Sequence, residues 1–232
     1  MKILFLTPPL KAWDSHGLHK AANQMHAQAA AYVRSKGIAE VMALDCRADD
    51  LDWDMMLTKI GESKPDMVFL GDQLFSTLGA AVIWYFNEAM RMVKAKYPSI
   101  ITVASGLWYS ADYERQMRLN PFIDYILIGE AELTLEDLVN NLKIKSKDMR
   151  DIPGLVSRRD QSTIIVGPHR DLIPDLKVLP PSRPWIAAPW IMIGTKCWRW
   201  LPRVSPIWFL SAISCSQHAG LRSSGISMKR CA

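Results

Sequence analysis

The chain has 232 residues, 49% of them apolar and 22% charged, the balance of a globular protein that can bury one sizeable core, or one core and an incomplete second unit. Its net charge of +5 points toward nucleic acid only until the charge is located: all 23 acidic residues lie at or before Asp175, residues 1–175 carry 20 Lys and Arg, and residues 176–232 carry 8 basic residues and no acid. The basicity belongs to the tail and not to a face of a folded domain, so a nucleic-acid-binding patch is not expected. Cys46, Cys197, Cys215 and Cys231 form no CxxC pair, which fits neither a disulfide framework nor a structural zinc site and predicts reduced thiols in a cytoplasmic protein. No stretch reaches the roughly 18 apolar residues of a membrane span, and the short apolar run at the start reads as a buried strand, not a signal peptide.

Residues 1–142 alternate strand and helix patterns. Lys2 to Thr7 is a continuous apolar run, as in a strand buried on both faces. Ala21 to Lys36 is an alanine-rich helix stopped by Gly37. Glu40 to Asp45 is the second strand, and Leu51 to Ser63 a helix with Asp49 or Asp50 as N-cap. Pro65 restarts the chain into the third strand, Met67 to Gly71, and Thr77 to Lys96 is a long helix ended by Pro98. Ile100 to Ala104 is the fourth strand, Asp112 to Leu119 a short helix, and Asp124 to Ile128 the fifth strand. Thr134 to Leu142 is the fifth helix, capped by Thr134 with Asp137 three residues on.

This order predicts an α/β, Rossmann-like (flavodoxin-like) fold: a five-stranded parallel sheet with helices on both faces over residues 1–142. Residues 143–184 read as a β-hairpin, from Leu155-Val156-Ser157 and Thr163 to Val166, followed by a proline-rich linker. Residues 185–232 hold five of the nine tryptophans, no acid and no clear period, and form an irregular basic tail with no core of their own.

In such folds ligands sit at the carboxyl ends of the strands, so the loops at 7–20, 71–77, 105–111 and 129–133 carry the functional expectations. The first holds Asp14-Ser15-His16, an Asp-x-His in which the histidine can ligate a metal while the aspartate holds its other ring nitrogen. It reads equally as an exposed polar loop. The third holds Asp72, Leu74, Ser76 and Thr77; the hydroxyls at the start of a helix can bind polar ligand edges or simply cap it. In the fourth, Ser105-Gly106-Leu107-Trp108-Tyr109-Ser110, the glycine permits close backbone approach to a flat ligand. Trp108 and Tyr109 there either stack on such a ligand or cover the core. The fifth, Gly129-Glu130-Ala131-Glu132, offers two carboxylates that suit acid–base or metal chemistry, or a helix's first turn. There is no GxGxxG after the first strand and no GxxxxGK[ST], so dinucleotide and P-loop binding are not expected.

Taken in order, Ile3 to Pro9, Lys64-Pro65-Asp66-Met67-Val68 and Ile123 to Glu132 resemble the N-terminal cobalamin-binding domain of cobalamin-dependent radical SAM enzymes, in the anaerobic magnesium-protoporphyrin ester cyclase and methyltransferase branch. The last segment is similar to that family's IDYVVRGEGE run, with Ile128 for the arginine and Ala131 for the second glycine. Ile152-Pro153-Gly154-Leu155 and Asp171 to Leu176 resemble its hairpin and exit. The resemblance covers about residues 1–184. It implies a corrinoid, cobalamin, as small-molecule partner, with contacts from Thr7, Pro8, Asp14 and His16, from Asp72, Leu74, Ser76 and Thr77, from Ser105, Gly106, Trp108 and Tyr109, and from Gly129 and Glu130. His16 is the candidate axial cobalt ligand, since Asp14-Ser15-His16 resembles the Asp-x-His of mutase and methionine-synthase domains; those carry glycine where His19 stands. The fourth loop departs from the family's Gly-Gly-x-His-x-Thr, with Trp108 in the histidine's place.

In the family a radical SAM barrel follows, with a Cys-x-x-x-Cys-x-x-Cys motif whose thiolates hold a [4Fe–4S] cluster that binds S-adenosylmethionine. Here Cys215-Ser216-Gln217 resembles the end of that motif, but Trp208 and Ala212 occupy the other two positions. Neither the cluster nor S-adenosylmethionine is therefore expected on this chain. The tail reads as the degenerate start of that barrel, truncated or out of frame, and the chain as a corrinoid binder without catalysis of its own. Two other classes compete. A cofactor-free receiver-type module wants an acidic cluster after the first strand, where only Asp14 stands, and a nucleotide-binding enzyme wants a phosphate loop.

Overall fold

The computed structural model describes residues 1–9, 23–71, 79–145, 149–160 and 163–180, with the backbone alone at 79–82. The chain divides into two compact units, Met1–Lys196 and Cys197–Ala232, and every described residue belongs to the first. The tail expectations, Cys215 among them, lie outside the described residues.

Five strands run parallel: β1 (Lys2–Thr7), β2 (Glu40–Asp45), β3 (Met67–Gly71), β4 (Ile101–Ser105) and β5 (Tyr125–Leu127). Two more, β6 (Leu155–Arg158) and β7 (Ile164–Val166), complete a seven-stranded sheet in the order β2-β1-β3-β4-β5-β6-β7. The parallel five-stranded core is as expected. The hairpin, however, is part of the same sheet: β6 pairs antiparallel with β5 through Tyr125↔Ser157, Ile126↔Val156 and Leu127↔Leu155. It covers the exposed ladder that β5 would otherwise present as an edge.

Alternation along the strands sorts the core into two layers. Leu4, Leu6, Val68, Leu70, Ala104 and Ile126 face α2 (Trp53–Ser63), α3 (Gly79–Lys96), α4 (Leu107–Ala111) and α5 (Tyr113–Leu119). Ile3, Phe5, Met67, Phe69, Val103 and Leu127 face α1 (Gln24–Ser35) and α6 (Ala131–Lys143). All twelve strand side chains are 0–1% exposed, the reason these strands are unbroken apolar runs in sequence.

Four helix starts differ from those the sequence predicts, the first being α1, which begins at Gln24 with Asn23 as its N-cap and not at Ala21. The cap of α2 is Asp52, whose carboxylate accepts from the Met55 amide at 2.8 Å; Asp50 sits in a left-handed turn two residues earlier. The helix after β5 begins at Ala131 and not at Thr134. Thr134 lies inside it, fully buried, and its hydroxyl donates to the Pro153 carbonyl at 3.1 Å, where it ties α6 to the hairpin. The segment after β4 forms two short helices, α4 and α5, broken at Asp112, where one helix from Asp112 was expected.

Candidate functional site at the carboxyl edge of the sheet

Four central strands end side by side. Phe5 pairs with Phe69, which sets Thr7 level with Gly71; Gly71 pairs with Ser105, and Ser105 with Leu127. In the order β2-β1-β3, the chain leaves β1 toward one side of the sheet and continues from β3 on the other. The crevice that this reversal opens at the carboxyl ends is the standard ligand position of an open α/β sheet.

Each strand end is built for close approach. Thr7 is 4% exposed and Pro8 is buried, and the Thr7 carbonyl accepts the Cys46 amide at 2.9 Å. Gly106 has φ +115° and ψ −179°, a conformation essentially confined to glycine. Gly129 has φ +74°, and a Cβ placed there would meet no atom within 4 Å. At β5 the edge therefore presents exposed backbone with open space above it.

Ser110 joins these two turns. Its hydroxyl donates to the Gly106 carbonyl at 2.6 Å and accepts the Gly129 amide at 3.0 Å. Sequence reading placed Ser110 in the loop without a role. The available signal was that a serine four residues after a glycine carbonyl, at the start of a helix, can bond back to it.

The structure separates the two aromatic residues of the fourth loop. They are neighbours on α4 and project about 100° apart. Trp108 is 47% exposed and Leu107 52%, an apolar pair on the outside of the edge. Tyr109 is fully buried, and its hydroxyl donates to Asn87 Oδ1 at 2.9 Å. Asn87 in turn donates to Gln116 at 3.2 Å. Of the two readings for Tyr109, it is the core-covering one that the structure displays, and its bond to Asn87 anchors the helix that holds Trp108 outward. Ser105 is likewise buried, with its hydroxyl donating to the Leu127 carbonyl at 3.2 Å.

Glu130 precedes α6 and accepts the Ile173 amide at 2.7 Å. Glu132 is 8% exposed in the first turn of that helix, and burial raises its pKa above the ordinary carboxylate value. The other expected residues, Asp14, His16, Asp72, Leu74, Ser76 and Thr77, lie outside the described residues. Among the described residues no three His, Cys, Asp or Glu side chains gather as a metal site, and no helix is long and apolar enough to cross a membrane.

A histidine that no sequence motif marks stands beside this edge. His26, in the first turn of α1, is 2% exposed and packs against the rings of Phe5 and Phe69 at 5.9 and 5.8 Å between centroids. Its Nε2 accepts the Gly71 amide at 2.8 Å. Burial, with the charge of Arg47 adding to it, lowers its pKa to about 3. The signal in sequence was positional: His26 shares the buried stripe of Ala29, Ala30 and Val33, at i, i+3, i+4 and i+7.

The B12 binding domain family matches residues 18–139, a span from the first loop through the helix after β5. The chain belongs to the B12 binding domain family. Among curated proteins, this B12 binding domain chain is 26% identical over 188 residues to an anaerobic magnesium-protoporphyrin IX monomethyl ester cyclase of Rubrivivax gelatinosus, covering 78% of itself and 32% of the relative. It is 27% identical over 97 residues to the cobalamin-dependent radical SAM methyltransferase TokK of Streptomyces tokunonensis, covering 40% of itself and 14% of that enzyme. The chain thus spans about a third or less of these two relatives. Its fold is that of the matching region in two solved enzymes. One is OxsB with aqua-cobalamin and S-adenosylmethionine bound (TM-score 0.58, 15% identity, 74% of this chain and 22% of that one). The other is TsrM of Kitasatospora setae with cobalamin and a [4Fe-4S] cluster bound (TM-score 0.56, 21% identity, 74% and 29%).

Proposed function

We propose that this chain binds a cobalamin-type corrinoid across the carboxyl ends of β1, β3, β4 and β5, as the corrinoid-binding domain of a radical SAM-type protein. The observation that carries the proposal is the pair of glycine turns at the carboxyl ends of β4 and β5. Thr7 and Pro8 end β1, Gly106 follows β4 and Gly129 follows β5 along the same carboxyl edge, with Gly129 and Trp108 exposed. A corrin macrocycle is a wide, flat, largely apolar ring with amide side chains. The exposed backbone of Gly129 and the side-chain-free turn at Gly106 suit its approach, and an exposed indole suits its apolar periphery. Family membership agrees with this reading.

In this reading Thr7, Pro8, Gly106, Trp108 and Gly129 contact the corrinoid. Ser105 and Tyr109 hold the loop from beneath, and Glu130 sets the turn after β5. Asp14, His16, Asp72, Leu74, Ser76 and Thr77 complete the contacts from the first and third loops, with His16 as the axial ligand candidate. A bound corrinoid supplies a cobalt centre for alkyl or electron transfer; the described residues bind it, orient it and exclude water from one face. Because Trp208 and Ala212 stand where cluster cysteines are expected before Cys215, the proposed role is binding and presentation, without bond-making on a substrate by this chain. The corresponding domain organisation is corrinoid domain at 1–142, hairpin and linker at 143–184, and tail at 185–232.

The test is direct. Full-length protein is mixed with hydroxocobalamin and desalted, and its visible spectrum is recorded. A corrin band retained near one per chain is expected. Its complete loss on desalting overturns the proposal and favours a cofactor-free module. A spectrum unchanged in His16→Ala removes the axial assignment alone.

A further inference from the structure

Asn23 and His26 grip both polar groups of one residue. Asn23 is the N-cap of α1: its Oδ1 accepts the His26 amide at 3.1 Å, and its Nδ2 donates to the Gly71 carbonyl at 3.0 Å. His26 Nε2 accepts the Gly71 amide at 2.8 Å. The last residue of β3 is thereby bonded through its N–H and its C=O to the first turn of α1.

The placement is unusual for a packing contact. Gly71 ends the strand on one side of the switch crevice, while α1 follows the strand on the other. Both side chains are buried, 6% and 2% exposed. A buried neutral imidazole is expensive unless its acceptor is satisfied, and an apolar residue would fill a stripe of alanines more cheaply. As Nε2 accepts, the proton of the neutral ring belongs on Nδ1. The geometry spends two polar side chains on the position of one backbone unit at the edge where the corrinoid is proposed to sit.

We propose that Asn23 and His26 are positioning residues for the corrinoid site: together they fix the carboxyl end of β3 against α1, and so set the width of the crevice at the switch point. The inference rests on the corrinoid-binding reading and adds to it two residues that touch no cofactor. They act through Gly71.

Asn23→Ser separates the two roles of Asn23. Serine is as good an N-cap as asparagine, but cannot donate an amide N–H to Gly71. His26→Gln retains an acceptor where His26→Leu removes it. Full-length wild type and the three variants are titrated with hydroxocobalamin, and the melting temperature of each apo protein is measured. Asn23→Ser and His26→Leu are expected to bind about tenfold more weakly, the loss of roughly one hydrogen bond's preorganisation. The apo melting temperature of Asn23→Ser should stay within about 4 °C of wild type. His26→Gln should recover most of the affinity lost in His26→Leu. Equal affinity in wild type and Asn23→Ser overturns this inference and leaves corrinoid binding standing. So does a loss confined to variants whose apo form is already unfolding at the assay temperature. Failure of the wild type to bind overturns both readings.

Discussion

The hydroxyl of Ser110 accepts the amide hydrogen of Gly129 across 3.0 Å, so a residue of α4 holds the turn that follows β5. The same oxygen donates to the Gly106 carbonyl at 2.6 Å. One side chain therefore fixes two glycine turns to each other at the carboxyl edge of the sheet. In Ser110→Ala both bonds go, at a cost of about 1–2 kcal/mol. A fall of a few degrees in melting temperature is expected, together with several-fold weaker hydroxocobalamin binding. Unchanged affinity would show that the two turns keep their spacing without Ser110.

Gly106 and Gly129 differ in the backbone conformation that a side chain would have to adopt. At Gly106 the backbone, φ +115° with an extended ψ, excludes other residues, and Gly106→Ala should cost about 1–3 kcal/mol. At Gly129, with φ +74° and open space about the Cβ position, Gly129→Ala should cost about 1 kcal/mol and Gly129→Asn less, because asparagine tolerates left-handed backbone. Urea unfolding midpoints of the three variants check the order. A Gly106→Ala protein as stable as wild type would refute the backbone argument.

The strands were legible because burial on both faces leaves nothing but apolar residues: Ile3 to Leu6 and Met67 to Leu70 read as strands without reference to any partner. The edge strand β2 was legible with the same bounds, Glu40–Asp45. Helix starts were less so, because a cap is chosen by geometry: Asp49, Asp50 and Asp52 all qualify by residue type, and it is Asp52 whose extended backbone brings its carboxylate to the Met55 amide. The antiparallel docking of β6 depends on β5 lacking a neighbour, which no local pattern encodes. The clamp was illegible for the same reason. His26 and Gly71 are 45 residues apart, and neither carries a mark of the other. The split between Trp108 and Tyr109 depends on the helix at 107–111, a segment whose sequence has the look of a loop.

That split makes a paired prediction. Trp108 is half exposed, so Trp108→Ala should leave stability nearly unchanged and weaken corrinoid binding about 2- to 10-fold, the worth of one aromatic contact. Tyr109→Phe should do the reverse. It removes the donor to the half-buried Asn87 Oδ1, at about 1–2 kcal/mol, while its ring stays in the core and not on the proposed corrinoid surface. Thermal melts and hydroxocobalamin titrations on both variants distinguish the roles. Equal effects of the two on binding would contradict the placement.

His26 gives stability a pH dependence with a definite sign. Its pKa falls from 6.5 in the unfolded chain to about 3 in the folded one, chiefly through burial and also through the charge of Arg47. Between those values the unfolded state binds a proton that the folded state refuses. Its stabilisation is thus complete above about pH 6.5 and is lost as pH falls toward 3, by up to roughly 1.4 kcal/mol per pH unit. Protonation would also set an N–H against the Gly71 N–H in place of the present acceptor. Urea unfolding at pH 7.5, 6.0 and 5.0 should show the decline, and His26→Gln should flatten it. An equal slope in the variant would assign the decline to other groups.

Glu130 governs how the chain leaves the sheet. Its carboxylate accepts the Ile173 amide at 2.7 Å, and Ile173 is 7% exposed while its neighbour Leu172 is 73% exposed. Arg170 secures the same stretch by donating to the Pro153 carbonyl at 2.9 Å and to Asp137. A bond from a charged acceptor is worth about 1.5–3 kcal/mol, and its loss here acts on a short segment held by few other contacts, so opening stays local. Glu130→Ala should therefore speed amide exchange in a peptide spanning 170–178 by about tenfold or more, while Met67 to Gly71, inside the sheet, keeps its protection. Glu130→Gln, which retains an acceptor without the charge, should fall between the two. If exchange at 170–178 is unaltered in Glu130→Ala, the segment is held by Arg170 and the burial of Ile173 alone, and Glu130 is free to serve the corrinoid with its side chain.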